Sequence, residues 1–441
     1  MKIKNSHKEI AQLGGAVVLH KKMYDHGLDS LIEKCFGPRV KQAKYSYQEV
    51  IIAWMLTLFC NGFRLTKIGN VEKDLSVLPL MDFCSHDTLG RVLKSLATEN
   101  EVVKYTNPKN RKDGEKTYVI NENEQTGDLL IMSAKKMGLL KTNKVYTVDI
   151  DATPIESEVR DAVTTYKRHK GFMPMVCTIG NVCVFISLRS GNANPHYRKL
   201  DCLKKCIELL RKHNIKVGRV RIDGAGYKNE VMEYLDSENI EFVIGANYSP
   251  EAQRGSLASA NWTKRRLETS KHVWDAEFCS FDYKLQKGNK EFRMATIRVK
   301  REDRPGAIDL EDTPTKWKLK DGYYYKFVIT NDKKKSTHDL FKEYHERGAF
   351  ERCFDSLKNS YGWRTVPFSK LNENLVYMTL TAMASNIYDA LLAKLAKKVK
   401  QLSKTFRLEK FREIFIRSSA YMERGVCRID NKYNIDFEKI C

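Results

Sequence analysis

At 441 residues with 42% hydrophobic side chains, the chain is too long for one compact core; roughly two to four domains are expected, and a disordered polymer is excluded. Lys and Arg number 77 against 55 Asp and Glu, a formal charge of +22 at pH 7 that exceeds what solubility needs and points to a polyanionic partner. The longest apolar run, residues 50–60, falls well short of the roughly 20 residues that span a bilayer, and MKIKNSHKEI lacks the apolar centre of a signal peptide, so a cytoplasmic protein with no membrane partner is expected.

Basic residues cluster as HKK at 20–22, KNRK at 109–112, KRR at 264–266 and KKK at 333–335, which favours nucleic acid over a merely basic surface. Eleven cysteines, an odd number without any Cys-x2-Cys pair, suit reduced intracellular thiols. Cys202 and Cys206 lack a matching Cys or His pair nearby, so they read as semi-buried helix residues rather than zinc ligands.

In chain order, residues 1–125 read as a helical amino-terminal, DNA-binding region. SYQE at 46–49 supplies a capping box ahead of the apolar run, and a second helix follows SHD at 85–87 with Leu89, Val92, Leu93 and Leu96 on one face. The pair suits either a helix-turn-helix or an ordinary helical bundle. TNPKNRKDGEKT at 106–117 has the composition of a loop. From 144 the pattern turns to strands: KVYTVDIDAT, GFMPMVCTIG and NVCVFISLRSG, with Gly180 and Asn181 suited to the turn between the last two. Helical sequence at 198–213, a strand at 217–223, a helix at 228–238 and a strand at 240–246 complete a β-β-β-α-β-α-β order, that of an α/β ribonuclease H-like core. The domains expected are that core over 140–255, a β-rich insertion over 256–336, the rest of the core over 337–395 and a basic, helical carboxy-terminal region over 396–441. Along 394–417, Lys and Arg interleave with apolar residues at helical spacing, so that one face packs and the other meets phosphates.

Asp149 and Asp151 lie two apart on the first strand and point to one face, while Asp223 ends the strand VGRVRID before Gly-Ala-Gly. Open α/β sheets place their sites at such strand ends, and carboxylates converging there suit hard cations such as Mg²⁺ or Mn²⁺. A single Asp at a strand end is ordinarily a cap or turn residue; only the setting makes these acids persuasive. Farther on, FKEYHERGAFERCFDSLK spaces Tyr344, Arg347, Glu351 and Lys358 along one broad helical face.

This Tyr-x2-Arg-x3-Glu-x6-Lys pattern resembles the signature of the DDE transposases of bacterial insertion sequences, in the insertion-sequence-four superfamily. VDIDAT, YKRHKGFMPM at 166–175, LRSGNA at 188–193 and RIDGAGY at 221–227 resemble its thirteen-eighty-like branch. The resemblance covers about residues 45–420. It implies catalytic, metal-holding acids at Asp151, Asp223 and Glu351, with Asp149 as the alternative for the first, and two Mg²⁺ ions per site for which Mn²⁺ can substitute. Tyr344, Arg347 and Lys358 then grip DNA. An aromatic in the inserted region stacks on a flipped base, with Trp317 ranked before Trp274 and Trp262. The activity implied is cut-and-paste transposition through a hairpin intermediate, by a bacterial, nucleoid-associated homodimer acting on double-stranded terminal inverted repeats and target DNA. The competing readings are a ribonuclease H-like nuclease that transfers no strand and an inactive DNA-binding descendant.

Overall fold

Five helices open the chain: α1 (Gly15–Asp25), α2 (Leu28–Phe36), α3 (Tyr47–Cys60), α4 (Ile68–Leu75) and α5 (His86–Ser95). The computed structural model describes residues 9–106, 114–259, 261–268, 273–285, 288–302, 318–430 and 433–440. The capping box is present at α3: Ser46 Oγ accepts from the Glu49 amide at 3.3 Å, and the Glu49 carboxylate accepts from the Ser46 amide at 2.7 Å. Because α3 is buried at every position from 50 to 60, it is a bundle core with no face left to enter a DNA groove. α5 buries Leu89, Val92 and Leu93 and leaves Arg91 and Lys94 outside. No single described helix is long and apolar enough to cross a membrane.

The stretch expected to be helical up to 125 contains two strands, β1 (Glu101–Thr106) and β2 (Glu115–Asn121), paired antiparallel from Glu101 opposite Ile120 to Thr106 opposite Glu115. EVVKYT and KTYVI are rich in the β-branched and aromatic residues that fit a pleated surface, which outweighs the loop composition between them. Residues 107–113 of that expected loop lie outside the described residues.

After α6 (Glu124–Lys136) comes β3 (Val145–Ala152), then a small sheet of β4 (Ile155–Glu156), β5 (Val163–Thr164) and β6 (Lys170–Phe172). β7 (Met175–Ile179) and β8 (Val182–Arg189) follow, joined through Gly180 at φ +59°, the left-handed conformation that glycine adopts at low cost. The expected alternation then appears: α7 (Lys199–Lys212), β9 (Lys216–Ile222), α8 (Asn229–Ser237) and β10 (Glu241–Ala246), with α9 (Pro250–Ala258) beyond it. Cys202 and Cys206 are fully buried on α7, deeper than expected.

The β-rich segment forms β11 (Thr263–Glu268), β12 (Val273–Lys284), β13 (Glu291–Lys300), β14 (Lys318–Lys320) and β15 (Tyr323–Thr330). These strands are no separate layer. One mixed sheet runs β1-β2-β8-β7-β3-β9-β10-β15-β13-β12-β11, with β14 on β15, and β15 pairs with both β10 and β13. A strand pattern cannot disclose such a pairing, because β10 shows the same apolar run whether it is an edge or a neighbour.

Alternation divides the sheet's faces. Val148, Ile150, Met175, Cys177, Val220 and Ile222 join the core under α7 and α8, while Val176, Ile186 and Leu188 join the core built with the amino-terminal helices. The second face is covered by α10 (Thr337–His345), α11 (Gly348–Asn359) and α12 (Leu371–Leu395). Buried along nearly its whole length, α12 is tied to β8 by Asn386, which accepts from the Cys183 amide at 3.0 Å and donates to its carbonyl at 2.8 Å. The basic stretch at 394–417 is not one amphipathic helix: α12 ends at Leu395, a short α13 (Leu408–Phe411) follows, and β16 (Ala420–Glu423) pairs with β17 (Val426–Ile429). Within that stretch, Arg412 donates to the carbonyls of Leu58 and Phe59 in the last turn of α3.

Candidate active site

Beyond a bulge at Tyr146–Thr147, parallel strands β3 and β9 pair in register from Thr147 opposite Arg219 to the last pair, Ile150 opposite Ile222. The next residue in each case is an aspartate: Asp151, still within β3, and Asp223, just past the end of β9 and capping the turn at Gly224–Gly226. Adjacent strands lie about 4.8 Å apart, so the register alone sets the two carboxylates side by side at the sheet's carboxyl edge. Since Val148, Ile150, Val220 and Ile222 point into the core under α7 and α8, the alternate residues Asp149, Asp151, Arg219 and Arg221 occupy the opposite face, toward α10.

Each aspartate there has a cationic partner. Asp151 Oδ2 accepts from Arg347 Nη1 at 3.1 Å, and Asp223 Oδ1 accepts from Lys199 Nζ at 3.0 Å and from the Ala225 amide at 3.1 Å. The Lys199 side chain is 3% exposed. Burial pushes the Asp223 pKa up, but Lys199, Arg347 and the Ala225 amide outweigh it and hold the carboxyl below its ordinary range. Asp149 differs from both: it is 1% exposed and grips Arg221 through two bonds, at 2.8 and 2.7 Å. Arg221 also donates to the Glu343 carbonyl at 2.8 Å, and Arg219 pairs with Asp332, Glu241 and Glu343, so β9 is fastened to α10 by a partly buried ion network.

Tyr344, Arg347, Glu351 and Lys358 do not share one straight helix. α10 stops at His345 and α11 begins at Gly348, the poorest helix former short of proline, which leaves Arg347 in the turn between them. Tyr344 is buried beneath the sheet; a Cβ at Gly245 of β10 would stand 2.4 Å from its hydroxyl, so glycine makes the room for the phenol. Burial, reinforced by Asp223 and Asp151, raises its pKa to about 12 despite Arg347. The Arg347 pKa is raised: burial opposes its charge, and Tyr344, Asp151 and Asp223 overcome that. Lys358 reaches back across α11 and donates to Thr153 Oγ1 at 2.5 Å, two residues beyond Asp151. Burial, with Lys167 and Arg364 nearby, brings its pKa down to about 8.

Glu351 stands exposed in the first turn of α11. Among the described residues no three His, Cys, Asp or Glu side chains form a group able to hold a metal ion: Asp151 and Asp223 stand at the ends of adjacent strands, and Glu351 lies apart on α11. The donor chemistry fits a hard divalent cation, because two hard-oxygen carboxylates share one strand end and already draw Lys199 and Arg347 to them.

A family model described as transposase DDE domain group 1 matches residues 1–430. The chain belongs to this transposase family. No curated protein matches it. Among solved structures, it is similar to the cryo-EM structure of the piggyBac transposase synaptic complex with hairpin DNA, at 10% identity, a TM-score of 0.44, and coverage of 93% of this chain and 82% of that one.

Against that membership the aromatic candidates separate. Trp317 lies outside the described residues, and Trp274 contributes its backbone to β12 opposite Leu267. Trp262 is half-buried with the Arg298 guanidinium 3.9 Å from its ring centre, so one face of this transposase residue is already covered. Arg298, Lys264, Arg265 and Arg266 line a cavity of about 400 Å³ at this edge of the sheet. Three site residues escaped the sequence reading. Thr153 had a signal, its place two after Asp151, and so did Arg221, sharing a strand face with Asp223. Lys199 had none, because its partner is 24 residues away across a helix crossover.

Proposed function

We propose that this transposase performs cut-and-paste transposition of an insertion sequence, with Asp151, Asp223 and Glu351 as its catalytic acids. The observation that carries the reading is the shared strand end: Asp151 and Asp223 flank each other in register, and signature residues Arg347 and Lys358 are fastened to Asp151 and Thr153 beside them. The sequence order of the central strands supports a ribonuclease H-like core, with β3, β7 and β8 antiparallel and β9 and β10 parallel to β3. β11–β15 are then the insertion of that core, despite continuing its sheet.

The substrate is the double-stranded terminal repeat, and the reaction is in-line displacement at phosphorus: water attacks first and the 3′-oxygen leaves as a free hydroxyl, then that 3′-hydroxyl attacks a phosphorus of the opposite strand, whose own 3′-oxygen leaves. Asp151, Asp223 and Glu351 would hold Mg²⁺, which supplies nucleophile activation and stabilisation of the leaving oxygen. Asp149 cannot serve the same end while both its oxygens are bound to Arg221. Arg347 offers a planar fork and Lys358 a point charge to phosphates crowded by hairpin formation. Two element ends need two such sites, hence a homodimer on DNA.

The test is the purified full-length protein with a duplex carrying the inverted repeat that flanks its gene, a supercoiled target and Mg²⁺. Nicked, hairpin and joined products support the proposal. Cutting without joining would leave the nuclease reading, and binding without cutting an inactive descendant.

A further inference from the structure

β3 and β7 pair up to Ala152 opposite Met175, so residues 153–174 form a protrusion rooted one residue from Asp151. Its sheet, β4-β6-β5, ends in a tight tip at 165–169 in which the Thr165 amide donates to the His169 carbonyl at 2.8 Å and the Arg168 amide to the Thr165 carbonyl at 3.0 Å. Arg168 sits at φ +68°, a left-handed conformation that costs a bulky side chain energy and that glycine would adopt freely. A strained residue retained at a tip beside an active site is a reason to seek a task for the tip.

The base of the protrusion is held by backbone contact. A Cβ at Gly171 would lie 1.8 Å from the Ile155 carbonyl oxygen, and one at Gly191 would lie 2.3 Å from that of Val163 and 2.4 Å from that of Gly171, so the small sheet stacks directly on the end of β8. Asp161 adds a tie to α12, accepting from the Leu371 amide at 3.0 Å. The tip is thus displayed on a fixed support. Tyr166 is 60% exposed there, in the field of Asp151. Lys167 and Arg168 are exposed as well, with Lys167 close enough to Lys358 to oppose its charge. His169 and Lys170 face Glu156 and Glu158, whereas among the described residues no carboxylate pairs with Lys167 or Arg168.

We propose that the β5–β6 hairpin tip is a further DNA-positioning element: Tyr166 stacks on an unpaired base next to the phosphate being cut, and Lys167 and Arg168 grip the adjoining backbone. This rests on the active-site assignment above. An exposed aromatic followed directly by two exposed cations is a combination that holds single-stranded nucleic acid, the ring taking the base and the charges the phosphates. The hairpin's support would keep the ring exposed within the field of Asp151 rather than folded onto the protein. It also gives the YKRHKG segment and the glycine of LRSGNA a common purpose, since the second is the seat of the first.

The test uses full-length protein with the inverted-repeat duplex carrying 5-iodouracil beside the scissile phosphate, irradiated in Ca²⁺ and, separately, cut in Mg²⁺. Tyr166 should be the cross-linked residue by peptide mapping. Tyr166→Ala should lose the cross-link and cut roughly tenfold more slowly, while Tyr166→Phe stays within about twofold of wild type. The melting temperature should not move, because the ring is exposed. A cross-link unchanged in Tyr166→Ala, or cutting at the wild-type rate, overturns the proposal. Asp151→Ala separates the two readings: if it abolishes cutting and keeps the Tyr166 cross-link, both stand, and if it cuts normally the assignment of the acids fails while the cross-link still judges the hairpin.

Discussion

Arg347 Nη1 donates to Asp151 Oδ2 at 3.1 Å, joining the turn between α10 and α11 to the end of β3 across 196 residues of sequence. Removing the guanidinium therefore affects more than DNA grip. Arg347→Ala should depress the first nick as well as the hairpin, because Asp151 loses the partner that orients it. Lys358→Ala, which releases Thr153 and the Phe354 ring but not Asp151, should nick near the wild-type rate and accumulate nicked DNA. Time courses of nicked, hairpin and released products on a labelled end will compare them; equal hairpin yields for both variants and wild type would deny the signature its role here.

Asp149 and Asp151 should fail in different ways. Asp149→Ala strips buried Arg221 of its two-bond carboxylate partner, leaving the Glu343 carbonyl and the exposed Glu346 at 3.8 Å, a loss of up to about 3–5 kcal/mol, visible as a lower urea midpoint. Asp151→Ala should keep its fold and its affinity for the end and lose cutting. The reverse pattern would move the catalytic position by two residues.

Lys358 gives the protein a pH response. With its pKa at about 8, its positive charge in the DNA-free protein is present below that pH and lost above it. End affinity should fall as pH rises through about 8, and Lys358→Arg, charged throughout, should flatten that step. For stability the sign is opposite. The unfolded chain holds this proton up to the ordinary value of 10.5, so stability rises between about 8 and 10.5, and Lys358→Met should be the more stable protein at pH 7.

Lys199 keeps Asp223 ionised. In Lys199→Met the carboxyl pKa should rise, since burial would no longer be offset by the ammonium, and Mn²⁺ binding measured by calorimetry should weaken first at acid pH. Lys199→Arg should preserve the wild-type pH dependence. Identical Mn²⁺ titrations at pH 5 for all three proteins would remove Lys199 from the site.

Phosphate contacts should dominate binding for a chain of charge +22. If about 6 to 10 phosphates are neutralised, affinity for the end falls roughly 10³- to 10⁵-fold between 50 and 200 mM salt, which fluorescence anisotropy can follow. A flat response would leave the excess of Lys and Arg without this role.

What could be read from sequence was local. Period-two alternation placed Asp149 and Asp151 on one face, the Ser46–Glu49 box opened α3, and the strand–helix order through β10 followed from apolar runs and turn residues. What depended on distant partners could not be read. Nothing in VGRVRID discloses that Arg221 would claim Asp149, and nothing in YYYKFVIT that it lies between β10 and β13. The bend at Arg347 was missed because the four-residue spacing looks alike on one helix or on two joined by a short turn.

Because β15 bridges β10 and β13, the basic edge strand β11 and the strand bearing Asp223 are linked by five successive hydrogen-bonded ladders across roughly 24 Å. If the proposed hairpin-forming reaction and homodimer hold, a pull by DNA on Lys264 to Arg266 would reach Asp223 through that paired sheet, so the large rearrangements would fall on the nucleic acid and on the contact between the two copies, with the sheet serving as the anvil against which the duplex bends.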